Sequence, residues 1–146
     1  MTIDYNQILA RDDYKRMTES LKEKVEEIAK AIRYKMDELD VDNSYPEGGL
    51  CAKDVRVLVA HLGYGDTGYF DCLVLESVDE ETGFRVFHSL EDAGDVLQDD
   101  RGFFVRGLAT NKERIAFLNA ASSLIKKLGA IEQENVEIIQ NAFNNI

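Results

Sequence analysis

Apolar residues recur at steps of three and four from Tyr14 through Met17, Leu21, Val25, Ile28, Ile32 and Met36 to Leu39, which is one face of a long helix. Asp12 or Asp13 is placed to cap it. The opposite face is Glu and Lys, including Glu26 and Lys30 in the acid-first order, worth a few tenths of a kcal/mol. A short helical turn over residues 4–9 is expected before it. The helix should stop by Leu39, because residues 40–49 hold the only proline and two glycines. That stretch reads as a connector inside one domain, since neither flank alone would bury a core.

The pattern then changes to β-branched and apolar runs. Asp54–Leu62 and Tyr69–Val78 flank the Gly/Asp-rich residues 63–68, and residues 79–83 make a second turn that returns through Phe84–His88. Three consecutive antiparallel strands follow. Centring the first turn on Gly65 and Asp66 sets Val57 opposite Val74, Val59 opposite Cys72 and His61 opposite Phe70 on one surface. Leu58, Leu73, Leu75 and Phe87 then point the other way, so both faces carry apolar side chains.

Ser89-Leu-Glu-Asp92 has the spacing of a capping box and predicts a short acidic helix to Leu97. Residues 101–107 read as a fourth strand. Thr110-Asn-Lys-Glu113 is a second capping box, opening a helix that Gly129 should stop. Ile131–Ile146 predicts a final helix with Val136, Ile139, Ala142 and Phe143 inward. The expected architecture is a single α+β domain over residues 1–146. It is an antiparallel sheet of three to four strands packed with a long N-terminal helix and two C-terminal helices, in the order α-βββ-α-β-αα.

A length of 146 residues and an apolar fraction of 45% suit one globular domain. Charge changes the picture more. Residues 37–100 carry 17 acidic side chains against three basic ones (Lys53, Arg56 and Arg85), a formal −14, while the flanks are +1 and +2 in a chain of net −11. Such a block repels nucleic acid and anionic membrane and attracts basic surfaces. No segment approaches the 18 apolar residues of a membrane span. The first residues lack the cationic start and apolar core of a signal peptide. Two cysteines without CxxC spacing point to a reduced, cytoplasmic setting.

No catalytic, metal or cofactor signature stands out. Read as a calcium loop from Asp40, the sixth position is Tyr45 and the twelfth Cys51, so the turn glycine and the closing carboxylate are missing. Gly63–Gly68 leads into a strand rather than a helix, has no Lys, and holds Asp66, which suits a turn better than a phosphate cradle. His61 and Cys72, diagonal neighbours in the expected register, fit a packed strand better than a nucleophile and its base. Two Cys and two His lack zinc spacing. Asp99 and Asp100 diverge as loop neighbours and fit solvation better than acid–base work.

The acidic ensemble remains. The expectation is a non-catalytic protein, without cofactor or metal, that docks on the basic surface of a nuclease or other nucleic-acid-binding protein by imitating the charge array of DNA. Small acidic α+β proteins of this appearance occur among phage inhibitors of host defence, including anti-CRISPRs, and among toxin immunity proteins; that is likeness of type alone. The residues expected to dock are Asp37, Glu38, Asp40, Asp42, Asp66, Asp79, Glu80, Glu81, Glu91, Asp92, Asp95, Asp99 and Asp100, with Tyr45, Tyr64 and Tyr69 as anchors. The rival expectations are a homo-oligomeric structural or adaptor subunit joined through its terminal helices or its second apolar sheet face, and a small enzyme using a carboxylate or Cys72.

Overall fold

The computed structural model describes residues 5–63, 68–94 and 97–146. Its elements are α1 (Tyr5–Glu38), β1 (Leu50–Ala52), β2 (Val55–Gly63), β3 (Tyr69–Val78), β4 (Arg85–Ser89), β5 (Leu97–Gln98), β6 (Phe104–Leu108) and α2 (Asn111–Asn144). The class is α+β, but the sheet is mixed and six-stranded, in the order β1-β2-β3-β4-β6-β5. Strands β1 to β4 pair antiparallel, while β6 runs parallel to β4 and antiparallel to β5.

Four expectations are corrected. The separate turn before α1 merges into one helix from Tyr5. An unexpected strand, β1, lies between the expected connector and β2, closed onto β2 by Lys53 and Asp54 at φ +48° and +64°, the two left-handed positions of a tight hairpin. The acidic helix after Ser89 does not form across the described residues. Ser89 ends β4 with its hydroxyl on the Glu91 carbonyl, and Gly94 takes φ +81°. Gly129 does not stop a helix: α2 is continuous from Asn111 to Asn144. Its start is as expected, with Thr110 accepting the Glu113 N–H at 3.2 Å and Glu113 accepting the Thr110 N–H at 3.0 Å.

The hairpin register is one residue from the expected one. Val57 pairs with Leu75, Val59 with Leu73 and His61 with Asp71. Because side chains alternate with period two, this slip exchanges the faces of β3. Val57, Val59, Leu73 and Leu75 face α1 and α2, where Val25, Ile32, Phe117 and Leu124 complete a buried layer. Leu58, Leu62, Cys72, Val74 and Phe87 form a second core with Phe103 and Val105. That face is enclosed by the sheet itself: Asp99, just after β5, bridges back to Leu62 of β2, and Tyr45 covers Phe87 and Phe103 at ring distances of 6.0 and 4.7 Å.

The helices run side by side in the same direction. Asn111 donates to Tyr14 and Thr18 at one end, and Lys35 pairs with Glu132 at 3.0 Å at the other. α1 therefore ends before α2 does. The last turns of α2 project past it, leaving Val136, Ile139 and Phe143 exposed rather than inward, while Tyr14 and Met17 are exposed at the opposite end. Among the described residues no helix is long and apolar enough to cross a membrane.

Candidate functional site

The expected docking residues divide into carboxylates that hold the fold and carboxylates that do not. Asp99 belongs to the first group. It is 2% exposed and accepts the His61 N–H at 2.7 Å and the Arg101 guanidinium at 2.8 and 3.1 Å. Burial alone would raise its carboxyl, but the bonds from Arg101 and from the Arg101 and His61 N–H groups hold it below the usual range. Arg101 continues to the carbonyls of Val59 (2.9 Å) and Asn43 and lies over the Phe103 ring. Asn43 in turn clasps Val59 like a strand neighbour, donating to its carbonyl at 2.7 Å and accepting its N–H at 2.8 Å. Asp99 is thus the buried tie between β2, the segment after β5 and the connector, and offers no docking surface.

Glu91 is likewise structural. Arg33 of α1 grips it bidentately at 2.9 and 3.0 Å, and the Leu73 N–H donates to it at 2.6 Å. Asp92 lies 3.5 Å from Lys22 of α1. Asp79 accepts Arg106 at 2.8 Å and the Glu81 N–H at 2.9 Å, which together hold its carboxyl low. Glu76, outside the expected set, is bound by Arg56. Tyr45 packs one side of its ring on Phe87 and Phe103 and keeps 44% of its surface exposed. Tyr64, Asp66 and Asp95 lie outside the described residues.

The remaining carboxylates fall at two ends of the sheet, several with partners of their own: Glu38 lies 3.4 Å from Lys35, Asp100 3.9 Å from Arg101, and Asp42 accepts the Ser44 N–H at 3.0 Å. Glu80 and Glu81 are exposed in the β3–β4 turn. The larger group surrounds the end of α1 and the β2–β3 hairpin: Asp37, Glu38, Asp40, Asp42 and Asp100, with Asp71, which the sequence reading passed over. About seven strand residues at roughly 3.3 Å each separate the two groups. The described residues of the expected set therefore do not lie together on one surface.

At the α1 end the electrostatics are unbalanced. Asp37 has its carboxyl raised, first by burial and then by the charge of Asp71. His61 donates to Asp71 at 2.7 Å, stacks on Tyr69 at 4.7 Å, and is raised by that hydrogen bond and by the charges of Asp71, Asp100 and Asp99. Asp37 and Glu38 occupy the last turn of α1, where the helix's own negative end disfavours acids. Lys35 is the only base in that turn, reaching Glu38 at 3.4 Å and Glu132 at 3.0 Å.

Thiol chemistry has no support in this arrangement. Cys72 and His61 point to opposite faces of the sheet. Cys72 is buried against Ser89, at 3.0 Å, and burial pushes its thiol up to about 11, which leaves on the order of one thiolate in ten thousand at neutral pH. The signal that would have identified Asp71 was present, since it pairs with His61 once the register is known. No family model, no curated protein and no solved structure matches this chain.

Proposed function

We propose that this chain is a non-catalytic binding protein whose α1 end docks on a basic protein surface. Asp37, Glu38, Asp40, Asp42, Asp71 and Asp100 supply the charge, and the stacked Tyr69–His61 pair supplies an apolar contact. The observation carrying this reading is the massing of carboxylates at the negative end of a helix, close enough that Asp71 raises Asp37. Asp37 and Glu38 sit where the helix dipole opposes them, and the six carboxylates of the group outnumber the three bases in contact with them, Lys35, His61 and Arg101. Basic grooves that bind nucleic acid are the densest cationic protein surfaces, so an inhibitor of a nuclease or DNA-binding protein is the specific form we favour. Two free thiols, Cys51 and Cys72, suit a reducing cytoplasm.

The test is affinity capture on the immobilised chain, beside a variant with Asp37, Glu38, Asp40 and Asp42 changed to Lys. A docked basic protein should be held at about 0.1 M salt, where the screening length is about 10 Å, and released near 1 M, where it is about 3 Å. Duplex DNA should compete it off, and the variant should not hold it. Equal retention by the variant refutes the reading.

A further inference from the structure

The helix pair leaves apolar surface uncovered at both ends. At one end Met17 (70% exposed), Tyr14 and Ile115 line an open groove with Leu21. At the other, Val136, Ile139 and Phe143 (70% exposed) lie on the part of α2 that outruns α1. We propose that a second copy of this chain covers both, docked antiparallel about a two-fold axis near Gly129. The tail of α2 in each protomer then lies in the Tyr14–Met17–Ile115 groove of the other.

Three observations point to a second copy. The first is periodicity. Ile115, Ser122, Gly129, Val136 and Phe143 recur at steps of seven along the whole of α2. A strict seven-residue step is the seam of two helices in left-handed contact. Gly129 is its centre, so a two-fold there sets Phe143 against Ile115 and Val136 against Ser122, large beside smaller. A glycine weakens a helix interior relative to alanine, and a Cβ at Gly129 would meet nothing within 4 Å in its own chain. Close passage of a second helix gives the glycine a reason.

The second observation is charge. Between Asn111 and Gly129, α2 presents Lys112, Lys126 and Lys127 against Glu113 alone, Arg114 being buried. Beyond Gly129 it carries Glu132, Glu134 and Glu137 and no base. Antiparallel pairing lays the acidic half of each helix on the basic half of the other, bringing Glu132 level with Lys126 across the axis. Parallel pairing would set like on like.

The third is area. With whole side chains of roughly 150–200 Å² each, the exposed fractions of these residues and Ile125 amount to on the order of 600–800 Å². A stable interface buries about 800 Å² per partner.

The proposal is tested on the full chain by sedimentation velocity and light scattering. The parent should have the mass of two chains at micromolar concentration. Ile139→Asp with Phe143→Asp, both outside the monomer core, should have the mass of one chain with unchanged helical circular dichroism. In a Cys51→Ser background, Ser122→Cys with Val136→Cys should form an intermolecular disulfide on oxidation, while Phe143→Cys alone should not. A monomeric parent overturns the proposal, as does a dimer that survives the double Asp change. Cross-linking through Phe143→Cys but not through the 122/136 pair overturns the antiparallel arrangement. A parent that is monomeric until another protein covers the stripe also overturns it.

Discussion

Replacing Glu91 by Ala separates the two uses of acid in this chain most sharply. From sequence, Glu91 belongs to a solvated helix and a docking surface, and its loss would leave the fold unchanged. In the structure its side chain is 14% exposed and that of Arg33 13%. Truncation strands the Arg33 guanidinium under α1 and leaves the Leu73 N–H without its acceptor. Removing one partner of a buried pair costs about 3–5 kcal/mol, and an orphaned backbone donor about 1–3. The two overlap, because one carboxylate serves both, so the expected loss is about 4 kcal/mol. Against a typical total of 5–15 kcal/mol that is a large fraction. With a urea m-value of about 2 kcal/mol/M the midpoint should fall by about 2 M, and thermal melting should fall by roughly 10 °C. Glu91→Gln keeps an acceptor for Leu73 and should lose about half as much. Both are compared with the parent at one protein concentration, since association would shift the transition. A Glu91→Ala midpoint within about 1 kcal/mol of the parent refutes the structural assignment.

The remaining predictions concern the other titratable groups. Burial would raise Glu113, but hydrogen bonds from His88 (2.8 Å) and Thr110 hold it at about 2. Its folded value lies below the usual 4.5, so its contribution is complete above that pH and is lost as pH falls from about 4.5 toward 2. At most this is about 3 kcal/mol, and Glu113→Gln should flatten the acid limb of a stability–pH curve. His61 should titrate above the ordinary imidazole value by NMR and return toward it in Asp71→Asn; an unchanged value discounts the Asp71 contact. Cys51 is exposed and Cys72 buried, so an aromatic disulfide reagent should consume one thiol promptly and the second only on unfolding. Glu80→Lys with Glu81→Lys should shift stability by less than about 0.5 kcal/mol, measured by the same urea titration.

Local signals in the sequence carried much of the fold. The apolar spacing of α1, the alternating runs of β2 to β4 and the Thr110–Glu113 box all describe what is there. The failures are of longer range. Residues 64–68 separate the paired Gly63 and Tyr69, so the hairpin loop is odd in length. A turn centred on Gly65 and Asp66 is even, and that single residue moves Cys72 away from His61. β1 escaped notice because its turn is Lys53-Asp54 rather than an Asn-Gly or Asp-Gly pair. Gly129 reads as a stop by local preference, yet α2 continues through it. For the site, Arg33 and Glu91 are 58 positions apart, and no local pattern announces their meeting. Acidic clustering was legible as composition. Which acids are spent on the interior was not.

The most direct test compares two charge reversals by affinity capture at about 0.1 M salt. Changing Asp37, Glu38, Asp40 and Asp42 to Lys should abolish retention of the basic partner, while changing Glu80 and Glu81 to Lys should leave it. Retention that survives the first change, or is lost only with the second, would contradict the assignment of docking to the end of α1.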